Sequence, residues 1–309
     1  MRTKVDGPLD KTLSLYYYIE IPLVMGLPNS LTDMADRCVS CEFCEAVCPT
    51  LEAVGAPHGP RDRVQLAASI ARGNHGSVPI ETFYTCLGCR ACYYACPNGI
   101  SAWEVSREVR KLVARGELDG EDPVARAISR SIAALGDPLG LSARDLSRWS
   151  DGLNIPGAGD PQLLTGHMYQ LMPYVVGLSR LRRRVGDSLM RAAARIASIH
   201  PRLFSLSGAF GDGSLRARYD GYLRKIALLL RAAGVQFSYD PREPYPGTLL
   251  YELGYDDEFA AYARRFASYL RSRGVSRVIT VDPHTWELLR DVYPKYVEGF
   301  DVEVVHYTE

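Results

Sequence analysis

Eight cysteines in two matching runs constrain this 309-residue chain more than any other feature. Both runs read C-x2-C-x2-C-x3-C-P, and no cysteine lies outside them. The first three thiols of a run can line one side of a turn, whereas the fourth lies too far along the chain to join them. The runs hold Cys38, Cys41, Cys44 and Cys48, then Cys86, Cys89, Cys92 and Cys96. Such dense thiols predict ligands for metal clusters.

Other uses of cysteine fit this pattern less well. Zinc is usually held by C-x2-C pairs that a loop separates, not by four cysteines within eleven residues. Disulfide frameworks are typical of small secreted chains, and we recognise no secretory signal here. The spacing is instead that of bacterial ferredoxins, so we expect two [4Fe–4S] clusters.

In those ferredoxins the fourth cysteine of each run ligates the cluster of the other run. The same rule gives each cluster of this chain three cysteines from one run and one from the other. We therefore expect the first cluster to bind Cys38, Cys41, Cys44 and Cys96, and the second to bind Cys86, Cys89, Cys92 and Cys48. Crossed ligation would hold the clusters close together, which suits the transfer of single electrons.

Composition limits the partners and the location that we expect for a protein with these clusters. The formal net charge is zero, so no overall field favours a nucleic acid as partner. A membrane-spanning helix needs about 20 mostly apolar residues. The longest apolar stretch near the N-terminus, Leu13–Leu27, is broken by Glu20 and Pro22. We therefore expect a cytoplasmic protein without a transmembrane segment, which reaches a membrane only through a partner.

Helical patterns surround both cysteine runs. Between Cys48 and Cys86 lie 37 residues, which include the helical stretch Asp62–Arg72. Apolar residues recur at helical spacing over Ala102–Arg115. The region resembles the α-helical ferredoxin module of succinate dehydrogenase and heterodisulfide reductase subunits. The motifs that carry this resemblance are Gly59-Pro60-Arg61 and Tyr84-Thr85-Cys86-Leu87-Gly88-Cys89.

The segment that follows carries a further motif. It reads Gly136-Asp137-Pro138-Leu139-Gly140, with Arg144 and Trp149 downstream. It resembles the G-N-P-x-G…R…W segment that joins the ferredoxin module to the cysteine-rich domain in heterodisulfide reductase C/D-like proteins. That family, in the wide sense, includes the iron–sulfur subunits of glycolate oxidase and anaerobic glycerol-3-phosphate dehydrogenase. The resemblance implies an electron-transfer subunit of an oxidoreductase complex.

The C-terminal part alternates helices and strands, which is typical of a parallel α/β sheet. The predicted helices are Arg216–Ala233, Asp256–Arg273 and Thr285–Tyr296, and the predicted strands are Gln162–Thr165, Val235–Tyr239, Ser276–Val281 and Val302–Tyr307. The region resembles the CCG domain of the same family. We therefore expect an α-helical ferredoxin followed by an α/β CCG-type domain with a small parallel sheet.

The expected domains follow from these resemblances. They are an N-terminal extension at 1–30, the ferredoxin domain at 31–116, a linker with short helices at 117–160 and the CCG-like domain at 161–309, with a basic helical insertion at about 180–215.

The CCG domain normally binds an unusual cluster through five cysteines, and this sequence has none of them. Tyr245 and Pro246 occupy the Cys-Cys-Gly motif, while Asp282 and Thr285 occupy the Cys-Pro-x-Cys motif. The first cysteine position is either His167 or Ala209. The resemblance therefore implies that the five-thiolate site and its disulfide-reducing chemistry are absent.

A basic run, Arg180–Arg202, contains seven arginines and one acidic residue, Asp187. Its apolar residues recur at helical spacing, so it predicts a helix within the insertion. The arginines can form a solvated face, a docking site for an acidic partner or a contact with an anionic membrane surface.

Three functional hypotheses follow. In the first, the chain relays single electrons between a flavoprotein or other redox subunit and an electron carrier, and is not itself the catalyst. In the second, it is an oxidoreductase with its own substrate or metal site at His167, Asp282 and His284, because two histidines and a carboxylate can hold iron or zinc. In the third, it is an iron–sulfur sensor or structural subunit. Against the second, Asp282 can simply cap the helix at Thr285.

Overall fold

The structure is a computed structural model that describes residues 31–74 and 78–309. The expected N-terminal extension, 1–30, lies outside the described residues. The described chain is mostly helical and contains one small sheet. The helices are α1 (Leu31–Asp36), α2 (Pro49–Val54), α3 (Pro60–Ala71), α4 (Glu81–Tyr84), α5 (Ala91–Ala95), α6 (Ala102–Ala114), α7 (Pro123–Leu135), α8 (Ala143–Ser147), α9 (Met168–Val185), α10 (Asp187–Ile199), α11 (Gly213–Ala232), α12 (Thr248–Glu252), α13 (Asp256–Ser272), α14 (Pro283–Glu287) and α15 (Tyr293–Tyr296). The strands are β1 (Gln162–Leu164), β2 (Arg277–Thr280) and β3 (Glu303–His306), and short 3-10 turns cover Arg148–Ser150 and Pro201–Phe210.

The two longest helices of the N-terminal part agree with the helical stretches that the sequence predicts. α3 begins after Gly59, whose N–H donates to the Asp62 carboxylate at 3.1 Å. α6 begins after Ser101, whose hydroxyl accepts a hydrogen bond from the N–H of Glu104 at 3.3 Å. Their apolar faces meet in a core of Val64, Ala67, Ala68, Ile70, Phe83, Val105, Val109 and Val113. This core supports the loops that carry the cysteines.

The predicted small parallel sheet is confirmed, with strand order β1-β2-β3 and parallel pairing throughout. Its side chains alternate between two faces, as the strand period requires. Leu163 and Ile279 pack on the side of α11, whereas Leu164 and Val278 pack on the side of α13. Both faces of the sheet are therefore covered by helices, as is usual for parallel strands.

The predicted strand Val235–Tyr239 is wrong as a full strand, because only Ser238 forms a bridge to β1. Its carbonyl accepts from the N–H of Leu163 at 2.7 Å, and its own N–H donates to the carbonyl of Pro161 at 2.9 Å. Pro161 has no N–H, so the ladder cannot extend past it toward the N-terminus. The segment lies along the edge of the sheet without joining it fully.

The basic run is not one helix. Gly186, with φ of +87°, separates α9 from α10, and Pro201 follows the end of α10. The acidic groups of Asp212, Asp187 and Asp122 pair with Arg180, Arg182 and Arg191, respectively. The insertion is therefore helical, as predicted, but it is broken by a glycine and partly neutralised by ion pairs.

The predicted helix Thr285–Tyr296 also contains an irregularity. α14 and α15 are joined by a π-helical turn at Leu288–Val292. Pro294, in α15, has no N–H to donate to the carbonyl four residues earlier, so a regular α-helical ladder cannot pass through it. A helix is present at this place, but the proline changes its geometry.

Candidate cluster sites

Four of the eight thiols surround a first cavity, which has about 320 Å³ of empty space and is partly open to solvent. Its cysteines are Cys38, Cys41, Cys44 and Cys96, so three come from the first run and one comes from the second. Cys41 is exposed and the other three are partly buried. The same cavity is lined by Arg61 and Glu42, which form an ion pair at 2.6 Å.

The other four thiols surround a second cavity of about 310 Å³. They are Cys48, Cys86, Cys89 and Cys92, again three from one run and one from the other. Cys48 also forms the N-cap of α2, and its sulfur accepts a hydrogen bond from the N–H of Leu51 at 3.5 Å. Cys92 is buried and Cys89 is exposed. The structure thus brings the eight cysteines together in two sets of four.

The two cysteine loops repeat one backbone conformation. In the first run, Ser40 and Glu42 flank Cys41 with φ of +54° and +66°. In the second run, Gly88 and Arg90 flank Cys89 with φ of +68° and +56°. Left-handed residues other than glycine are uncommon and concentrate where the surrounding structure enforces them. The matching strain at equivalent positions shows that both loops wrap their cavities in the same way.

Arg63 and Arg110 place two buried positive charges beside the second cavity. Only 1% of Arg63 and 3% of Arg110 is exposed. Arg63 donates to the carbonyl of Thr82 at 3.1 Å and to the hydroxyl of Thr85 at 3.0 Å. Arg110 donates to three carbonyls, those of Phe83, Cys86 and Glu252 at 2.6, 2.9 and 2.7 Å, respectively. Within the described residues, all of these acceptors are uncharged.

Buried charges without a counterion are costly, so these two guanidinium groups indicate that an anion belongs in the second cavity. A cluster held by four thiolates is such an anion. The residues around the cavity therefore fit the group that the cysteine spacing predicts. In the structure without that group, burial raises the pKa of Cys92, and burial together with the charges of Cys92 and Glu45 raises the pKa of Cys44 to about 11. Cluster assembly must therefore displace protons from these thiols.

His167, the first candidate at the CCG-like positions, lies directly after β1 and is buried. Its Nδ1 lies 2.9 Å from the Asp137 carboxylate, and its Nε2 lies 3.2 Å from the carbonyl of Glu243. Both ring nitrogens face oxygen atoms that can accept hydrogen bonds, an arrangement that favours the imidazolium form. Burial lowers the pKa of His167, but the hydrogen bond and charge of Asp137 outweigh burial and raise it overall.

Glu243 completes this buried group. Its carboxylate accepts hydrogen bonds from the N–H of Thr165 at 3.0 Å and from the Thr165 hydroxyl. Burial raises the pKa of Glu243 to about 7, although the charge of His167 opposes that effect. Tyr245 packs beside His167, with the two ring centroids 5.8 Å apart. His167, Glu243 and Thr165 therefore satisfy one another, whereas the buried Oδ2 of Asp282 has no hydrogen-bond partner among the described residues.

The other CCG-like positions have structural partners as well. Asp282 caps α14 by accepting from the N–H of Thr285 at 2.9 Å, which confirms the capping interpretation. The hydroxyl of Tyr293 donates to the carbonyl of Pro246 at 2.6 Å. Ala209 lies in the 3-10 turn Pro201–Phe210 and not after a strand.

The metal site of the second hypothesis, at His167, Asp282 and His284, is not formed by these described residues. His284 instead pairs with the Glu252 carboxylate at 2.7 Å. Among residues 31–74 and 78–309, no three His, Cys, Asp or Glu side chains converge closely enough for a single metal ion. Each of the three residues has the local partner described above, which is why they do not share one ion.

Sequence reasoning missed the residues that give these sites their charge, namely Arg63, Arg110, Asp137 and Glu243. A signal for the arginines was present. Arg63 precedes Val64 on the core-facing side of α3, and Arg110 lies among Ser106, Val109 and Val113 on the buried face of α6. An arginine at a core position of a helix predicts a buried anion. Nothing comparable indicated Asp137, whose partner lies 30 residues away in the sequence.

Comparison with known families defines the class of this domain. Residues 34–100, which include all eight cysteines, match the family described as the 4Fe-4S dicluster domain. This part of the chain is therefore an iron–sulfur domain. No solved structure matches the chain.

The curated relatives confirm the resemblance to iron–sulfur oxidoreductase subunits. A probable membrane-anchored ferredoxin of Chromohalobacter salexigens is 25% identical over 87% of this chain, which covers 39% of that protein. The probable iron-sulfur-binding oxidoreductase FadF of Bacillus subtilis is 25% identical over 74% of the chain and 28% of its own length. The glycolate oxidase iron-sulfur subunit of Escherichia coli is 40% identical over 20% of the chain and 16% of its own length.

The chain thus spans well under half of these relatives. In the described part of this chain, no helix has both the length and the apolar character that a bilayer crossing requires.

Proposed function

We propose that this chain is an electron-transfer subunit of an oxidoreductase complex, and that it relays single electrons through two [4Fe–4S] clusters. The observation that carries the proposal is the gathering of eight cysteines around two cavities, four to each. The match to a dicluster family and the names of the relatives support the same function.

In this proposal Cys38, Cys41, Cys44 and Cys96 hold the first cluster, and Cys86, Cys89, Cys92 and Cys48 hold the second. The clusters would supply reversible uptake of one electron at a time. The protein residues keep the thiols in place, exclude water on the buried side and set the charge around each cavity. Cys44 lines the first cavity and Cys48, four residues later in the chain, lines the second, so the two thiol sets are near one another.

We further propose that residues 161–309 form a CCG-type domain that has lost its cluster, with His167 at the first cysteine position. His167 and Asp282 follow β1 and β2, respectively, so both lie at the end of the sheet where these parallel strands have their C-termini. A side chain at Gly166 would collide with Asp282 and Thr285, so these positions approach one another closely. The ion pair of His167 with Asp137 takes the structural place of a cofactor there. The boundaries at 116 and 160 remain predictions.

Metal analysis tests the number of clusters. Protein purified without air should contain about eight irons and as many inorganic sulfides per chain, as two cubane clusters require. About four irons would contradict the two-cluster proposal, and the absence of iron would contradict the function itself.

Serine variants test the crossed ligation. The double variant Cys41→Ser/Cys44→Ser should abolish the first cluster and leave one electron paramagnetic resonance signal, that of the second. In this background Cys48→Ser should alter the remaining signal, whereas Cys96→Ser should leave it unchanged. The reverse result would show that each run ligates its own cluster.

A redox partner is part of the proposal, because a chain that relays electrons must receive them from one protein and pass them to another. In the described residues we assign cluster sites but no substrate site. We propose a flavoprotein or other redox subunit as one partner and an electron carrier as the other. Anaerobic co-purification with the tagged chain, followed by flavin fluorescence of the bound fraction, tests the first of these. A bound subunit that reduces the clusters when given its own substrate supports the proposal, and a chain that acts on that substrate alone contradicts it.

A further inference from the structure

We propose that the second cavity holds an added electron more tightly than the first, so that an electron entering the chain passes from the first cluster to the second before it leaves for the carrier. The residues that create this difference are Arg63 and Arg110 on one side and Glu42 and Glu45 on the other. The inference rests on the proposed function, which places one cluster in each cavity.

The second cavity has an excess of positive charge. Arg63 and Arg110 are almost fully buried, and their acceptors in the described chain are backbone carbonyls and the hydroxyl of Thr85. Arg110 donates to the backbone carbonyl of Glu252, whereas the carboxylate of Glu252 is engaged by His284 at 2.7 Å. Arg90 also lines the cavity, but Glu287 forms an ion pair with it.

The first cavity has the opposite balance. Its only lining arginine, Arg61, pairs with two carboxylates, those of Glu42 at 2.6 Å and Glu45 at 3.2 Å. The side chain of Glu45 is only 17% exposed, so water screens its charge incompletely. One positive and two negative groups therefore lie beside this cavity. Arg37 also reaches the carbonyl of Asn98 in its lining at 3.5 Å, but Arg37 is exposed and water screens its charge.

These charges act on reduction directly, because reduction adds one negative charge to a cluster. Fixed positive charge in a poorly solvated site stabilises the reduced form, and fixed negative charge destabilises it. Transfer from the first cavity to the second oxidises one cluster by one electron and reduces the other by one electron. No bond forms or breaks, and no proton is required.

The test is an anaerobic redox titration of the whole chain, followed by electron paramagnetic resonance. The Cys41→Ser/Cys44→Ser variant identifies which signal belongs to the second cavity. In the wild-type protein that signal should appear first as the potential is lowered. Arg110→Gln should lower the midpoint potential of the second cluster by about 59 mV, which corresponds to a tenfold change in a one-electron reduction equilibrium. The first cluster should be unaffected.

Charge-conserving and distant variants separate electrostatics from damage to the fold. Arg110→Lys keeps the charge and should retain most of the wild-type midpoint. Arg72→Gln removes an exposed arginine at the end of α3, which pairs with Asp36 at 2.9 Å, and should change neither midpoint. Glu45→Gln should raise the midpoint of the first cluster, and it tests the inference even if Arg110→Gln fails to fold.

The outcomes distinguish the two proposals. If both clusters assemble but the first is reduced before the second, or if Arg110→Gln and Glu45→Gln leave both midpoints unchanged, the inference is wrong and the proposed function stands. If no cluster assembles, the proposed function fails and the inference fails with it.

Discussion

His167 lies at the centre of a buried polar group at the end of the sheet. Its ring lies between a carboxylate from the segment before β1 and a carbonyl from the segment before α12. Asp137 in turn accepts hydrogen bonds from the N–H groups of Leu139 and Leu141 at 2.9 and 3.0 Å, which fix the position of its carboxylate. The group ties together three stretches that are distant in sequence.

We expect His167→Ala to lower the free energy of unfolding by about 3–5 kcal/mol, because it leaves the Asp137 carboxylate buried without its cation. Urea unfolding followed by tryptophan fluorescence measures the change. His200→Ala is the control, since His200 is exposed, and it should cost less than about 0.5 kcal/mol. Equal costs for the two variants would show that the buried ion pair contributes little.

His284 gives the stability a defined dependence on pH. The hydrogen bond that His284 donates to the Glu252 carboxylate raises the pKa of His284 from its ordinary value of 6.5 to about 9, despite the opposing effect of burial. Because the folded pKa is the higher one, this stabilisation is complete below pH 6.5 and is lost as the pH rises through about 9. The urea midpoint of the wild type should exceed that of His284→Gln at pH 6 and approach it at about pH 10. A difference that grows with pH would contradict the ion pair.

At the scale of single residues, the sequence predicts the role of the cysteines well, but it does not predict which charged residues surround the sites. The thiol ligands lie within two short runs, so their spacing alone indicates the cluster chemistry. The partners of His167 lie 30 and 76 residues away in the chain. Only the folded arrangement shows that Asp137 and Glu243 neutralise it, because the local pattern around His167 contains neither carboxylate.

Among the elements, α6 joins the iron–sulfur domain to the C-terminal part. Arg107 forms an ion pair with Asp256 and donates to the carbonyl of Tyr251 at 3.0 Å. Its guanidinium also stacks over the ring of Tyr251, 3.6 Å from the centroid. One turn later, the backbone of Arg110 lies against the turn at Gly254. The two parts are therefore in contact through buried, specific interactions.

Gly254→Ala tests that contact. Gly254 has φ of +86°, and a Cβ there would lie 2.6 Å from the nitrogen of Lys111. We expect a loss of at least about 2 kcal/mol in unfolding free energy from backbone strain and this collision together. Gly274→Ala is the matched control, because Gly274 has φ of +67° but no atom within 4 Å of a new Cβ. If both variants cost about 1 kcal/mol, strain alone accounts for the loss.

The regular elements follow from local pattern, whereas the irregular segments do not. α3, α6, α11 and α13 have apolar residues at helical spacing and clear ends, so the sequence predicts them within a few residues, as it does the three strands. The single bridge at Ser238 and the π-helical turn before α15 depend on neighbours that the local pattern does not contain. Pro161 limits the bridge, and Pro294 distorts the helix at the turn.

Across the whole molecule, the apolar cores differ in size, which suggests that the fold of the N-terminal part depends on iron more than the fold of the C-terminal part does. The core below the cysteine loops is the smaller of the two, whereas the core that contains Phe259, Phe266 and Tyr293 covers one face of the sheet. The loops around the cavities would lose their cross-links if the thiols lost their clusters.

We therefore expect iron removal to loosen residues 31–100 and to spare the C-terminal part. Limited trypsin digestion of chelator-treated protein should cut after Arg37, Arg61 or Arg90 and leave a resistant fragment from the C-terminal part. Rebuilding the clusters with iron and sulfide should restore protection. Digestion of both parts at equal rates would show that the clusters support the entire fold.

Cys41 and Cys89 each lie exposed at the open side of a cavity. A thin covering of protein shortens the path by which an electron can leave for a partner. It also admits dioxygen, which can oxidise an exposed cluster and its thiolates. The clusters of such a chain are protected from oxidation only while a partner covers that side or the surroundings are anoxic. In air, oxidation should begin at these two ligands, and the visible absorbance of the clusters should decrease.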